Sequence, residues 1–448
     1  MTTALLQTRR LVKSGGGIPH FTLASLAIFA FLTLTILGPF MAHKPAPFSG
    51  EGSPLRQVCY FALLLFIVFA VDPIRRPRRL LAVPLTMIIA LAWCWASLAW
   101  SAHPDIALRR LLLTTIVIWT VFLAVGETRY ARAVAILRIV LVATLVGNYV
   151  AVILFPNFGI HQLSHDWDHM SSPDLAGAWR GIVLQKNFAG AVSAFTVLCF
   201  VLDGRAIRPW LRWGVVAAAA FFLFMTTSKT SMSITLFSLV LGGVYLRYNP
   251  AYRMLLIPVL MVAGAAVFLL LQIYWADLAK PLYDRSAFTG RTQIWPPLLN
   301  YFRDNPLLGA GYGSFWNIGI GESPIFTYAK GWVTGLAQGH NGYLDLLVTI
   351  GAPGLALAVL ATVVAPTARL LASRTVPRGA GALLLAMLTF VAGHNFTESS
   401  LFDRDAIVQS FLMITLAMVH VVTAASPRPA RARRPALRAS ASAAGAGA

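Results

Sequence analysis

Apolar residues dominate this chain in long runs, and short polar stretches separate the runs. Runs of about 17–25 apolar residues can cross a bilayer as a helix. They occur near residues 21–40, 55–72, 80–99, 109–126, 131–155, 182–203, 213–228, 230–247, 253–275, 340–365, 380–398 and 405–425. The pattern predicts an all-α polytopic membrane protein with about 12 transmembrane helices.

The longest interruption divides the predicted protein into four parts. Residues 1–275 hold transmembrane helices 1–9, and residues 276–339 form a polar loop segment that we expect to carry part of an active site. Residues 340–425 hold helices 10–12. Residues 426–448 are rich in arginine and alanine. This composition predicts a disordered basic tail that contacts anionic lipid headgroups.

Composition and charge agree with a membrane location. The 448 residues are 58% hydrophobic and only 12% charged, too apolar a mixture for one soluble core. The net charge of +20 comes from short basic clusters between apolar runs, which the positive-inside rule explains without nucleic acid as a partner. The first span follows Arg9, Arg10 and Lys13 and has no small-residue cleavage site at its end. We therefore expect a membrane protein with both termini in the cytoplasm and residues 276–339 on the outer side.

Several lysines and arginines lie on the predicted outer face, although the positive-inside rule favours such residues on the cytoplasmic side. A cluster of such cations suits an anionic ligand such as a lipid pyrophosphate, because arginine binds phosphate oxygens in pairs and lysine adds point charge. The alternative for each is contact with lipid headgroups by a long side chain. These residues are Arg180, Lys186, Lys229, Lys280, Arg285, Arg291, Arg303 and Lys330.

A metal site is not expected. The outer loop that carries His161, His165, Asp166, Asp168 and His169 has two histidines four residues apart, a spacing that one helical face can use for zinc. Its flanks, however, are turn-like and it contains no cysteine, so a solvated loop or a lid over the site is the simpler interpretation.

Several short motifs lie on one predicted side of the membrane: Arg180-Gly181, Lys186-Asn187, Ser228-Lys229-Thr230, Gly290-Arg291 with Trp295, Pro306 with Gly309, Gly311 and Gly313, His340-Asn341, and Gly351-Ala352-Pro353-Gly354. In their order, spacing and shared side of the membrane, they resemble the O-antigen ligase and polysaccharide polymerase superfamily. The ending around His394 and Glu398, together with the lack of a second large domain, is more similar to the exopolysaccharide (succinoglycan-type) polymerases than to the ligases.

The resemblance implies a GT-C-like glycosyltransferase of the bacterial inner membrane. It would work at the periplasmic face, where residues 276–339 would lie, without a metal or other cofactor. Its donor would be a glycan on undecaprenyl pyrophosphate, and its acceptor a sugar hydroxyl on a growing polysaccharide or a lipid-linked repeat unit. A chain-length regulator would be a further partner. The superfamily's histidine falls on His340 and its loop arginine on Arg291, although position 295 is tryptophan where ligases often have leucine.

Residue chemistry supports these roles. A pyrophosphate leaving group needs cations and helix amino termini, whereas the acceptor hydroxyl needs a base, a role that suits His340 at a helix start. His340 and Arg291 are therefore the predicted catalytic residues. Alternatives are that His340 only caps its helix, that His394 or Glu398 acts as a second base, and that Asp345 is structural. The predicted substrate-binding residues are Arg180, Lys186, Asn187, Lys229, Asn341, Tyr343 and Glu398.

Other functions remain open at this point. A ligase that transfers glycan to lipid A-core is the main alternative, and a lipid-glycan flippase or secondary transporter is a third. Transporters usually show internal duplication with broken helices in matching halves, and this sequence shows no such repeat.

Overall fold

The regular structure of this protein is helical. The computed structural model describes residues 20–41, 52–162, 175–183, 185–255, 262, 287–319 and 321–424. Within those ranges strand pairing is limited to one isolated bridge between Ile160 and Trp179. The predicted all-α class is confirmed for this part of the chain.

Thirteen helices of eight or more residues lie in the described ranges, and α10 continues through the π-helical turn Leu360–Val364 into α11. Their bounds are α1 His20–Met41, α2 Pro54–Val71, α3 Leu85–Ala96, α4 Pro104–Thr128, α5 Tyr130–Leu154, α6 Lys186–Val201, α7 Pro209–Met225, α8 Lys229–Arg247, α9 Trp295–Asp304, α10 Gly342–Val359, α11 Ala365–Ala372, α12 Arg378–His394 and α13 Ile407–Ala424.

Six of these elements are long and apolar enough to cross a membrane: α2, α4, α5, α8, α10 with α11, and α13. Five shorter apolar helices lie in α1, α3, α6, α7 and α12. The chain is thus a multi-pass membrane protein. The predicted ninth span at 253–275 and the tail at 426–448 lie almost wholly outside the described residues, so the number 12 and the sidedness stay predictions.

Helices α4 and α13 form the centre of the bundle. Helix α13 is apolar on all its faces, and a helix of that kind belongs inside the protein rather than at its surface. Phe411 and Met413 on α13 are fully buried, and the Phe411 ring lies 4.6 Å from that of Phe195 on α6. This packing fixes α6, α12 and α13 relative to one another.

The described part of the segment between α8 and α10, from residue 287, has a small hydrophobic core. Ile294, Leu298, Phe315 and Ile325 are buried together with Val348 of α10. Helix α9 packs directly against α10. The described part of this segment, from residue 287, is therefore a compact cap that holds the start of α10.

Two glycine motifs fix that cap to the bundle by a close approach of backbones. Gly351 interrupts α10 with φ 69°, and a Cβ there would lie 2.0 Å from the Leu307 carbonyl oxygen. Across this contact the Ala310 amide donates to Val348 O and the Ala352 amide to Pro306 O, both at 2.9 Å. The lack of a side chain at Gly351 therefore allows the backbone of the cap to lie directly against α10.

Candidate active site

Three helices, α6, α8 and α10, begin beside the turn 395–406 that joins α12 to α13. The Thr397 hydroxyl donates to Thr230 Oγ1 at 2.8 Å, which fixes the start of α8 to this turn. The Gly342 amide donates to Asn395 O at 2.8 Å, which fixes the start of α10. Because the amide groups at helix starts carry partial positive charge, their convergence favours an anion at this place.

Glu398 lies at the centre of the convergence. Its carboxylate is 1% exposed, and Oε1 accepts hydrogen bonds from Asn187 Nδ2 at 2.6 Å and from Arg291 Nη2 at 2.5 Å. The other oxygen, Oε2, lies 3.5 Å from His340 Nδ1. The structure thus brings four sequence-predicted residues together from four separate segments of the chain.

The Glu398 carboxylate is held in its ionised form. Burial alone would raise the pKa of this carboxyl, because it disfavours the charged state. The interaction with His340 and the positive charge of Arg291 outweigh burial and hold the pKa of Glu398 below its ordinary value. The site therefore contains a permanent negative charge directly beside the His340 ring.

His340 has an unusual backbone and a directed side chain. Its φ of 50° is in the left-handed region, which is uncommon for residues other than glycine and tends to occur at functional sites. Asn341 caps α10, since its Oδ1 accepts from the Tyr343 and Leu344 amides at 3.1 Å. The 23% exposed His340 side chain is consequently not used as the cap and faces Glu398.

Buried polar atoms with unused bonding capacity surround this carboxylate. Among the described residues, His340 Nδ1, Glu398 Oε2 and both ring nitrogens of His394 are buried without a hydrogen-bond partner. Buried polar atoms normally have partners, and exceptions mark functional places. The atoms near Glu398 can therefore still bind a polar ligand or exchange a proton.

Two of the other predicted cations have hydrogen bonds to residues outside the Glu398 group. Lys186 Nζ donates to Thr227 Oγ1 at 3.3 Å, and Arg180 Nε donates to Phe158 O at 2.8 Å. Lys229 is an exposed residue at the start of α8. Each belongs to a segment that ends at the converging helix starts.

Tyr343 has a packing contact on α10. Its hydroxyl donates to Ala392 O at 2.8 Å, and its ring lies 4.8 Å from the Phe396 ring. Its predicted part in substrate binding stays a prediction.

No group of three or more metal-binding side chains occurs among the residues that the structure describes. His165, Asp166, Asp168 and His169 of the outer loop lie outside those residues, whereas His161 lies within them.

A second feature of the site was not predicted from the sequence. A cavity of about 230 Å³ lies beside the start of α10, and we call it the polar cavity. One of its arginines, Arg110, stands at the outer end of the predicted span 109–126, where a cation opposes the positive-inside rule. The position of Arg110 is the signal in the sequence that could have indicated this cavity. The lining includes Arg110, Trp316, Asn317, Gln338, Asp345, Ser400 and Arg404.

Comparisons with known proteins agree with the motifs. A family model described as O-Antigen ligase matches residues 214–359, a range that contains Lys229, Arg291 and His340 but neither Asn187 nor Glu398. The Exopolysaccharide production protein ExoQ of Rhizobium meliloti (strain 1021) is 28% identical over 184 residues. The alignment covers 39% of this chain and 42% of that relative, which is less than half of either. Both findings confirm that this chain resembles the O-antigen ligase and polysaccharide polymerase superfamily, near ExoQ.

Proposed function

We propose that this protein is an integral-membrane glycosyltransferase that polymerises undecaprenyl-pyrophosphate-linked oligosaccharide repeat units at the periplasmic face. The reaction inverts the anomeric centre and uses no metal. The observation that carries the proposal is the buried Glu398 carboxylate with Asn187, Arg291 and His340 around it, under three converging helix starts. The resemblance to ExoQ supports polymerisation over transfer to lipid A-core.

His340 is the general base of this proposal. The acceptor hydroxyl oxygen attacks the anomeric carbon, its proton moves to His340, and the bond from that carbon to the pyrophosphate oxygen breaks. Because Nδ1 faces Glu398, the nitrogen that takes the proton is Nε2. The ionised Glu398 then stabilises the imidazolium that forms, which is how a carboxylate beside a catalytic histidine commonly acts.

The leaving pyrophosphate departs with the bonding electrons and needs compensation for its growing negative charge. Arg180, Lys186, Lys229 and Arg291 supply four cations against the single carboxylate of Glu398. Arginine has five N–H donors, so Arg291 can bind Glu398 and still offer donors to a phosphate oxygen. Preorganised positive charge of this kind lowers the barrier to bond breaking.

The proposal is tested by replacing His340 in a strain that lacks the native gene. His340→Asn is the informative variant, because asparagine tolerates a positive φ better than most residues do. We expect the protein to stay in the membrane while long polysaccharide is lost and single lipid-linked repeat units accumulate. His420→Ala is the matched control, since this histidine lies at the far end of α13 beside Arg369.

An arginine pair gives a second test. Arg291→Ala should abolish polymer, whereas Arg303→Ala, an exposed arginine on α9 of the same cap, should leave polymer length unchanged. Normal chain length in both His340→Asn and Arg291→Ala would refute the site. Loss of lipopolysaccharide side chains with intact exopolysaccharide would assign the protein to the ligases instead.

A further inference from the structure

A transferase needs a place that holds its acceptor beside the base. We infer that the polar cavity binds a sugar ring of the acceptor glycan, as a subsite separate from the cationic site that holds the pyrophosphate. The inference rests on the proposed function and deepens it. It is carried by the cavity's position, the state of its charged groups and its unused polar atoms.

The position is next to His340 but on the other side of the chain. The cavity is lined by Gly342, which is two residues after His340, and by Ser399, which directly follows Glu398. The Asn341 amide donates to Ser399 Oγ at 3.1 Å, and the Gly342 amide donates to Glu398 O at 3.0 Å. The wall of the cavity at this place is therefore built from backbone that is close along the chain to His340 and Glu398 and is hydrogen-bonded together.

The charged groups of the cavity are already paired. Arg110 donates to the carbonyl oxygens of Gly313, Trp316 and Asn317, the last two at 2.8 and 2.7 Å. Arg404 Nη2 lies 2.9 Å from Asp403 Oδ1. Since Asp345 and Asp403 balance the two arginines of the lining in formal charge, the cavity suits a neutral polyhydroxyl ligand better than a pyrophosphate.

Uncharged polar atoms remain available in the same wall. Ser400 Oγ is buried without a hydrogen-bond partner among the described residues. Gln338 is partly exposed and offers an amide that both donates and accepts. Trp316 adds an aromatic ring whose Nε1 donates to Asp345 Oδ1 at 2.9 Å. An aromatic ring with amides and hydroxyls around it is a suitable surface for a sugar, which has an apolar face and a polar rim.

The walls are rigid before any ligand arrives. The Tyr312 hydroxyl donates to Phe402 O at 2.5 Å and lies 2.6 Å from Thr114 Oγ1, which joins the cap to α4 and to the turn before α13. Asn317, Phe402 and Arg404, three of the lining residues, hold positive φ values of 53°, 55° and 42°. Strained backbone of this kind persists where the surrounding structure imposes it, often at binding sites. The volume of about 230 Å³ is several times the roughly 30 Å³ share of one water, which is room for a sugar ring.

The test measures acceptor and donor dependence separately in protein reconstituted in lipid nanodiscs. The donor is the lipid-linked repeat unit, and the acceptor probe is the free oligosaccharide repeat released from the organism's own polysaccharide. Gln338→Ala and Ser400→Ala should each raise the half-saturating acceptor concentration about 3- to 10-fold, as the loss of one hydrogen bond does. The half-saturating donor concentration should not change. Gln162→Ala, an exposed glutamine away from the cavity, is the matched control.

A binding measurement keeps the inference separate from catalysis. In Gln338→Cys, the free oligosaccharide should slow modification of the new thiol by a polar maleimide, also when His340→Asn is present. Unchanged acceptor dependence in both alanine variants, or absence of protection, overturns the subsite while the proposed function stands. If His340→Asn makes normal polymer, the proposed function fails instead, whatever the labelling shows.

Discussion

The dipeptide His-Asn occurs twice at the centre of this protein, and the two copies have opposite surroundings. His340-Asn341 precedes α10, whereas His394-Asn395 ends α12. His340 is 23% exposed and faces the Glu398 carboxylate. His394 is fully buried and stacks on Phe390 with ring centroids 5.4 Å apart.

The two asparagines differ in the same way. Asn341 caps one helix with its side-chain oxygen. Asn395 is fully buried, and its side chain accepts from the Ser400 and Leu401 amides at 2.8 and 3.1 Å while it donates to Val391 O at 2.8 Å. Position relative to helix ends and solvent, rather than residue type, therefore separates a group that can meet substrate from one that shapes the turn around it.

The largest difference is expected between His340→Phe and His394→Phe. His340→Phe removes the base, and the transfer rate should fall by about 10²- to 10⁴-fold, the usual contribution of general base catalysis. His394→Phe keeps an aromatic ring against Phe390 and removes two buried nitrogens that lack partners. Such a replacement is nearly neutral or stabilising. We expect its rate to stay near that of the native protein in a turnover assay.

The rate of His394→Phe can contradict the contrast between the two histidines. A rate loss in His394→Phe as large as that in His340→Phe, with the same melting temperature as the native protein, would show that His394 takes part in the chemistry. His394 would then be a second catalytic position, although it is buried at the end of α12.

Replacing the two asparagines should lower the stability of the protein by different amounts. Asn395→Ala leaves the buried Ser400 and Leu401 amides without their side-chain partner, and each unmet buried group costs about 1–3 kcal/mol. Asn341→Ala removes a helix cap, which costs about 1 kcal/mol. The apparent melting temperature in detergent should therefore fall further for Asn395→Ala. Equal falls would mean that the turn 395–406 tolerates the loss of its central side chain.

Apolar runs in the sequence locate most of the described helices to within a few residues. Helix α8 covers Lys229–Arg247 against a predicted 230–247, because apolar length dictates a span. Two of the errors occur at helix ends where a polar side chain bonds to a neighbouring segment. Helix α4 begins at Pro104 instead of 109, with Arg110 bonded to three carbonyls of the cap. Helix α12 ends at His394 instead of 398, where the Asn395 side chain bonds the following turn.

The candidate site was predictable by residue but not by arrangement. Motif resemblance and opposed charge singled out Asn187, Arg291, His340 and Glu398. Nothing in the sequence indicates that one carboxylate joins the other three, since Arg291 and Glu398 lie 107 positions apart and the packing of α6, α10 and α12 brings them together. The polar cavity was missed for the same reason, because its walls come from α4, the cap, α10 and the turn 395–406.

The smallest expected effect is the pH dependence of the stability that the Glu398 carboxylate contributes. The pKa of Glu398 is lowered in the folded protein, so its ionised form stabilises the fold above the ordinary glutamate pKa of about 4.3. That stabilisation is lost only as the pH falls from the ordinary glutamate pKa through the lower pKa that Glu398 has in the folded protein. The difference in melting temperature between the native protein and Glu398→Gln should hence be constant from pH 7 to about 5 and close below about 4.3. A difference that already closes between pH 7 and 6 would mean that the folded pKa is raised instead.

This pH series also sharpens the comparison of the two histidines. If the transfer rate falls between pH 7 and 5 while the stability difference stays constant, Glu398 is not the titrating group, and a histidine is the residue type whose ordinary titration covers that range. The variant His394→Phe then decides which histidine is responsible. An unchanged pH profile in this variant assigns the titration to His340, because His394 is the other histidine beside the carboxylate in the described structure. A profile that flattens would move the role of base to His394.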